Sequence, residues 1–237
     1  MTKILALDAS TDACSVALYI DGVSRHIFEL AAKSHTQRLL PMVDEILRAE
    51  NCSLQDLDAI AYGRGPGSFT GLRICMGVVQ GLAFGANLPV IPVSTLQAMV
   101  QGFMVDNPNV SLPLLVALDA RMDEIYWGLF NADKILTALS EEFVMKPVDV
   151  CEQKIVTNLA QQFIAIGPGW HYPELQKIIP AQIVEHVHPN AKDILTLAVD
   201  AFQKGQAISV LDAQPVYLRD SVSWKKRERI RVNPIVS

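Results

Sequence analysis

The sequence predicts an α/β protein made of two related domains that face each other across a cleft. Residues 115–120 (LVALDA) repeat residues 4–9 (ILALDA) at an offset of 111 positions. A second similarity joins residues 163–169 to residues 58–67, because each stretch is an apolar run followed by Gly-Pro-Gly. The repeat is much longer than the unit of a solenoid, and it therefore indicates a duplicated domain.

Three strands and a helix open the first half. The strands are predicted over residues 4–8, 14–20 and 23–30, and Asp21-Gly22 forms a strong hairpin signal between the last two. An amphipathic helix is predicted over residues 35–50. Its apolar residues recur on one face at helical spacing: Leu39, Leu40, Val43, Ile46 and Leu47.

Residues 58–86 carry the most informative pattern in the chain. A buried strand over residues 59–62 is stopped by the glycine- and proline-rich residues 63–67. Ser68 is suited to cap the helix that follows over residues 70–85, because a serine hydroxyl accepts a hydrogen bond from a free amide of the first turn. A strand, a tight glycine turn and a helix are therefore expected here in succession.

A stripe of glycines marks that helix. Gly77, Gly81 and Gly85 fall four residues apart and share one face, although glycine costs about 1 kcal/mol relative to alanine inside a helix. Two interpretations stay open: close approach of a second helix, from this chain or from another, or packing against the chain's own sheet. A membrane span is disfavoured because Asn87 and Pro89 end the apolar run before about 20 residues.

The remaining elements follow from the same signals. The polar break at residues 106–109 is the best domain boundary. It divides the chain into an N-terminal domain (1–106), a smaller C-terminal domain (107–213) and a C-terminal segment (214–237). Further strands are predicted over residues 89–93, 115–120, 126–130, 139–145 and 163–166, and further helices over 94–104, after the glycine turn at 167–169, and over 190–203.

Composition restricts the class of function. Half of the 237 residues are hydrophobic, and the net charge of −5 argues against a protein that grips nucleic acid over its whole surface. The four cysteines show no CxxC spacing, which suits a reducing compartment. The five-residue apolar run near the N-terminus is too short for a signal peptide, so we expect a cytoplasmic protein. The basic stretch within residues 224–232 is either a solvated terminus or a contact for phosphate or an acidic partner.

The turn after the first strand could contact phosphate. Ser10 and Thr11 could donate hydroxyl groups, and Asp8 could hold a metal ion through water. The repeat places Arg121 and Met122 where Ser10 and Thr11 stand, and a methionine does not ligate phosphate or Mg²⁺. Asp8 is therefore read as a structural or vestigial carboxylate. No catalytic residue and no metal site emerges, since the five histidines form neither HxxxH nor HExxH.

Several motifs together resemble the bacterial TsaB (YeaZ) family, whose members take part in the synthesis of tRNA N6-threonylcarbamoyladenosine (t6A). They are ILALDASTDACSVALY, SHTQRLLPMVDEIL, GRGPGSFTGLR with the glycine-spaced helix, and QPVYLRD with SVSWKK. The resemblance implies a duplicated actin/hexokinase-like fold (ASKHA, ribonuclease H-like). The catalytic TsaD-type sister carries a HxxxH metal motif where this chain has Thr95 and Met99. The resemblance therefore implies that this chain is not an enzyme and holds no metal.

The resemblance also implies partners. It points to a scaffold or activator that binds the TsaD-type subunit together with a TsaE-type ATPase and contacts tRNA only indirectly. A homodimer through the same surface, and ATP or ADP at the subunit junction, are also implied. The implied interface residues lie on the helices over 35–50 and 70–86: Leu39, Val43, Leu47, Arg73, Met76, Gly77, Gln80, Gly81 and Gly85. Two alternatives remain, a small-molecule kinase or ATPase of the same fold and a metallopeptidase-like protein.

Overall fold

The computed structural model describes residues 2–30 and 34–219, and it contains two mixed five-stranded sheets. The first sheet has the strand order β3-β2-β1-β4-β5. Its strands are β1 (Lys3–Asp8), β2 (Ala13–Ile20), β3 (Val23–Leu30), β4 (Ala59–Gly65) and β5 (Val90–Ser94). Asp21 and Gly22 adopt positive φ angles of 45° and 94°, as the predicted tight hairpin requires.

The second sheet repeats the first. Its strands, in the order β8-β7-β6-β9-β10, are β6 (Leu114–Arg121), β7 (Glu124–Phe130), β8 (Phe143–Met145), β9 (Ile164–Ile166) and β10 (Gln182–Val184). β1 pairs antiparallel with β2 and parallel with β4, and β6 pairs in the same way with β7 and β9. The predicted duplication is confirmed: the fold is a duplicated α/β one, in which the two sheets share their strand order and pairing.

Serine and asparagine side chains cap the starts of three of the longer helices. The helices are α1 (His35–Ala49), α2 (Phe69–Ala86), α3 (Thr95–Asp106), α4 (Pro147–Cys151), α5 (Lys154–Thr157) and α6 (Ala191–Gln203). The Ser68 hydroxyl accepts from the Gly71 amide at 3.3 Å, and the Ser94 hydroxyl accepts from the Gln97 amide at 3.1 Å. Both predicted caps are thereby confirmed.

The prediction of a helix after the second Gly-Pro-Gly turn is wrong. The chain there forms two short 3₁₀ turns, Pro168–His171 and Pro173–Lys177. Pro173 disfavours the helical conformation for the residue before it, and Tyr172 is accordingly extended, at φ −70° and ψ 125°. The second half therefore lacks a counterpart of α2.

Two helices are exchanged between the halves. α6 comes from the C-terminal segment but packs on the first sheet, where Ile194 and Leu195 join a buried cluster with Ile4 and Ile91. α3 comes from the N-terminal segment but packs on the second sheet, through a cluster that includes Leu96, Val100 and Phe103. The strands of the first sheet all precede residue 106 and those of the second all follow it, but each core takes a helix from across that position. The domain boundary there stays a prediction.

α2 is long and apolar. Among the helices that the structure describes, it is the one long and apolar enough to cross a membrane, with a mean hydropathy of 1.3, and 33% of it is buried inside the fold. Asn87 ends it in the left-handed conformation, at φ 55°. The sequence argument that Asn87 and Pro89 end the apolar run too early for a membrane span stays a prediction.

Candidate functional site

The three spaced glycines of α2 point away from the chain's own sheet. The opposite side of the helix packs into the first core through Cys75, Val79 and Ala83. A Cβ atom placed on Gly77, Gly81 or Gly85 would meet no other atom within 4 Å. The interpretation of the stripe as internal packing is therefore wrong, and the stripe lies on what we term the glycine face of α2.

Four of the predicted interface residues are buried. Leu39, Val43 and Leu47 of α1 and Met76 of α2 are 0%, 3%, 9% and 7% exposed, and all four belong to the first core. Apolar residues at helical spacing identify the buried face of a helix without telling what covers it, and here the chain's own core covers it. That these residues contact a partner stays a prediction.

The sequence analysis did not single out two apolar side chains of α1 and α2 that are exposed. Phe84 of α2 and Leu40 of α1 are 72% and 51% exposed. Leu40 had been grouped with the core face of α1, and Phe84 is the large side chain between Gly81 and Gly85. An apolar residue outside the buried stripe of its helix was the available signal for this surface.

A second candidate site lies at the N-terminus of α2, where the turn after β1 presses on the helix. The Ser68 amide donates to the Ser10 carbonyl at 2.6 Å. A Cβ on Gly71 would come within 1.9 Å of the Ala9 carbonyl oxygen, so only glycine permits this approach. The contact brings the Ser10–Thr11 turn to the mouth of the cleft between the two halves.

The cleft has a volume of about 380 Å³, and both halves line it. Ser10 and Thr11 line it from the first half, as predicted; Arg121, Tyr126, His171 and Arg219 are among the residues that line it from the remainder of the chain. Asp8 does not reach the cleft, because it is completely buried behind the turn. This burial agrees with the interpretation of Asp8 as a structural carboxylate, and its part in binding a nucleotide stays a prediction.

Asp8 instead shapes the turn. Its Oδ2 accepts from the Ser10 amide at 3.2 Å and from the Ser10 hydroxyl at 3.0 Å. The repeat-related Asp119 accepts from the Arg121 amide at 2.8 Å, so both strand-end aspartates make the same local turn. Oδ1 of Asp8 is buried and has no hydrogen-bond partner among the described residues. Burial raises the pKa of Asp8 to about 7, against the opposing effect of the Ser10 hydrogen bonds.

In the second half, Arg121 spans the cleft where a hydroxyl-bearing turn would otherwise lie. Its guanidinium contacts Asp119 at 3.0 Å and, from the other half, Asp12 at 3.4 Å. Met122 beside it is 54% exposed. The two turns are thus chemically unequal, since one offers hydroxyl groups and the other an arginine that already has carboxylate partners.

Thr95 and Met99 stand at the two positions where the resemblance places the histidines of the HxxxH metal motif. Both are completely buried, and the Thr95 hydroxyl donates to the Pro66 carbonyl. The Met99 methyl group lies within 2.5 Å of where a Cβ on Gly167 would stand, so it packs under that glycine turn. Within residues 2–30 and 34–219, no group of three or more His, Cys, Asp or Glu side chains could hold a metal ion.

The change Asp8→Asn is expected to raise the free energy of unfolding by about 1–3 kcal/mol at pH 8 and to do much less at pH 5. The pKa of Asp8 is about 7 in the folded protein against an ordinary 3.8. Between those values the folded state keeps a proton that the unfolded state has lost, so stability falls as the pH rises through this window. Asparagine removes this dependence, although its buried NH₂ group limits the gain.

Urea denaturation at both pH values measures this effect. Asp44→Asn is the matched control, because Asp44 is an exposed carboxylate on α1 and its loss should change stability by less than about 0.5 kcal/mol. An equal gain for Asp8→Asn at pH 5 and pH 8 would contradict the assignment.

Comparison with known proteins places the chain in a family. Residues 27–226 match the family model described as TsaD, tRNA N6-adenosine threonylcarbamoyltransferase. The tRNA threonylcarbamoyladenosine biosynthesis protein TsaB of Escherichia coli K12 is 45% identical over 94% of this chain and 97% of its own length. The TsaB protein of Haemophilus influenzae is 42% identical over 94% and 96%.

Relatives of the transferase type match a smaller share. A tRNA N6-adenosine threonylcarbamoyltransferase of Chromobacterium violaceum is 33% identical over 48% of this chain and 39% of its own length. Among solved structures, YeaZ from Pseudomonas aeruginosa superposes with a TM-score of 0.83 at 38% identity, covering 92% of this chain and all of that one. The chain therefore belongs to the TsaB (YeaZ) family of tRNA threonylcarbamoyladenosine biosynthesis proteins.

Proposed function

We propose that the chain is a non-catalytic scaffold that binds and activates a TsaD-type subunit in t6A synthesis. The observation that carries this proposal is the glycine face of α2, which is open to solvent along its length. Glycines let another helix approach the backbone closely, and the exposed Phe84 of the same helix supplies apolar area. The exposed glycines Gly77, Gly81 and Gly85 lower the stability of the free helix. A contact that needs close approach to the helix backbone would give a physical reason for keeping them.

The residues at the positions that would carry catalysis do not suit it. Thr95 and Met99 serve in packing, and neither offers the imidazole nitrogens that the family's metal motif would use. In the cleft, Arg121 is paired with Asp12 and Asp119. A phosphoryl-transfer site needs groups on both sides of the phosphate, which makes a kinase or ATPase the weaker candidate. The metallopeptidase alternative meets the same objection at Thr95 and Met99.

The further partners follow from this role and are proposals with it. A TsaE-type ATPase would complete the assembly, and ATP or ADP would bind at the junction of the subunits, near the Ser10–Thr11 turn. A homodimer would use the glycine face in the absence of the sister subunit. We further propose that the protein works in the cytoplasm and contacts tRNA only through its partner. The basic stretch within residues 224–232 lies outside the described residues.

The experiment mixes the purified chain with the TsaD-type subunit of the same organism. We expect a heterodimer in size-exclusion chromatography with light scattering, and no ATP hydrolysis or t6A formation by the chain alone. With the TsaD-type subunit, the TsaE-type ATPase, tRNA and the threonylcarbamoyl adenylate, t6A should form faster than without this chain. Turnover of ATP or formation of t6A by the lone chain would overturn the proposal.

A further inference from the structure

A groove of about 390 Å³ runs beside the glycine face of α2. One wall is α2 itself, and the other is the C-terminal strap, which we define as residues 213–219. The groove is lined by Arg73, Met76, Gly77, Gln80, Gln214, Pro215 and Tyr217. It opens onto the same surface as the proposed docking helix, so a partner on that surface would also meet the groove.

The C-terminal strap is fixed to both halves of the protein. The Gln80 side chain donates to the Ala213 carbonyl at 3.3 Å, and the Val216 amide donates to the Arg64 carbonyl at 2.7 Å. At its end, Arg219 donates to Glu124 of the second half at 3.0 Å. The groove therefore has a preformed wall.

Arg73 is held in one orientation at the end of this groove. Its guanidinium carbon lies 3.9 Å from the centre of the Phe69 ring, and its Nε donates to the Tyr217 hydroxyl at 3.3 Å. Phe69 and Tyr217 contact each other with ring centres 5.2 Å apart. This arrangement covers one face and one edge of the guanidinium, while the terminal nitrogens remain available for a forked hydrogen bond.

Arg73 differs in charge pairing from every other arginine that the structure describes. The described residues include seven arginines, and the six other than Arg73 have a carboxylate oxygen within 4.0 Å: Arg25, Arg38, Arg48, Arg64, Arg121 and Arg219. Arg73 has no such partner among the described residues, although the chain carries a net charge of −5. An oriented but uncompensated cation on an acidic protein is the complement of an anionic group.

We propose that Arg73 anchors a carboxylate side chain of the partner subunit, seated in the groove between α2 and the C-terminal strap. This inference rests on the proposed function and adds the chemistry of the contact. A protein carboxylate fits better than an RNA phosphate, because the other lining residues of the groove are uncharged and nucleic acid binding draws on several cations. The planar guanidinium and the planar carboxylate form two parallel hydrogen bonds, which fixes the register of docking.

The test measures the dissociation constant of the full chain for the TsaD-type subunit by calorimetry at 50 and 300 mM NaCl. Arg73→Gln, which removes the charge and keeps a polar side chain, should weaken binding at least tenfold at low salt and reduce the salt dependence. Tyr217→Phe, which removes only the hydroxyl that orients the arginine, should weaken binding less. Arg48→Gln is the matched control, since Arg48 is an exposed arginine of α1 that already pairs with Asp44, and it should change binding less than threefold.

Two further measurements separate the possible failures. If Arg73→Gln binds within threefold of the parent while Gly81→Arg does not bind, the carboxylate anchor is overturned and the docking face stands. If both variants bind normally, the proposed function itself fails at this surface. Titration with tRNA alone covers the remaining case: loss of tRNA affinity in Arg73→Gln with unchanged affinity for the subunit assigns Arg73 to phosphate and overturns the proposal.

Discussion

Gly81→Arg should weaken binding to the TsaD-type subunit more than a hundredfold and leave the free chain folded. A side chain at this position projects from the middle of the glycine face, where a Cβ meets nothing within 4 Å. The free protein therefore has room for the arginine, and helix propensity favours it over glycine by about 0.8 kcal/mol. In a complex the same side chain would hold two helices apart and would bury a charge without a partner. Calorimetry measures the affinity, and circular dichroism with thermal unfolding measures the fold.

Two controls define this result. Gln203→Arg places the same charge on an exposed position of α6 and should leave binding unchanged. Gly81→Ala adds only a methyl group, so it should stabilise the free chain by about 1 kcal/mol while weakening binding less than Gly81→Arg does. Normal affinity of a folded Gly81→Arg variant would remove the glycine face from the proposed function.

The duplication could be predicted because short stretches of the sequence repeat at a fixed offset. β6 and β7 begin at Leu114 and Glu124, each 111 positions after the starts of β1 and β2 at Lys3 and Ala13. Apolar runs, turn residues and serine caps are determined by neighbours in the chain, and these were placed correctly. The cross-packing of α3 and α6 was not predictable in this way, because it depends on which sheet each helix meets in space.

The candidate site was predicted only in part for the same reason. Periodicity identified Leu39, Val43 and Leu47 as one face of a helix, but the cover of that face turned out to be the chain's own core. For the glycine stripe the pattern allowed a second helix or the chain's own sheet, and the position of the stripe excludes the sheet. Asp8 shows a third limit, since a residue beside Ser10 in sequence can still lie wholly behind the turn.

Gly71→Ala is expected to destabilise the chain by at least about 3 kcal/mol, the upper end of the range for overpacked sites, or to prevent folding. Helix propensity alone predicts a gain of about 1 kcal/mol, so the sign of the measured change decides which effect dominates. The new Cβ would stand 1.9 Å from the Ala9 carbonyl oxygen and 3.1 Å from its carbon, and backbone atoms cannot turn away as a flexible side chain can. Gly77→Ala, the same change six residues further along α2, meets nothing within 4 Å and should be stabilising. Urea denaturation of both variants makes the comparison; equal stabilities would show that the turn after β1 is not pressed against the start of α2.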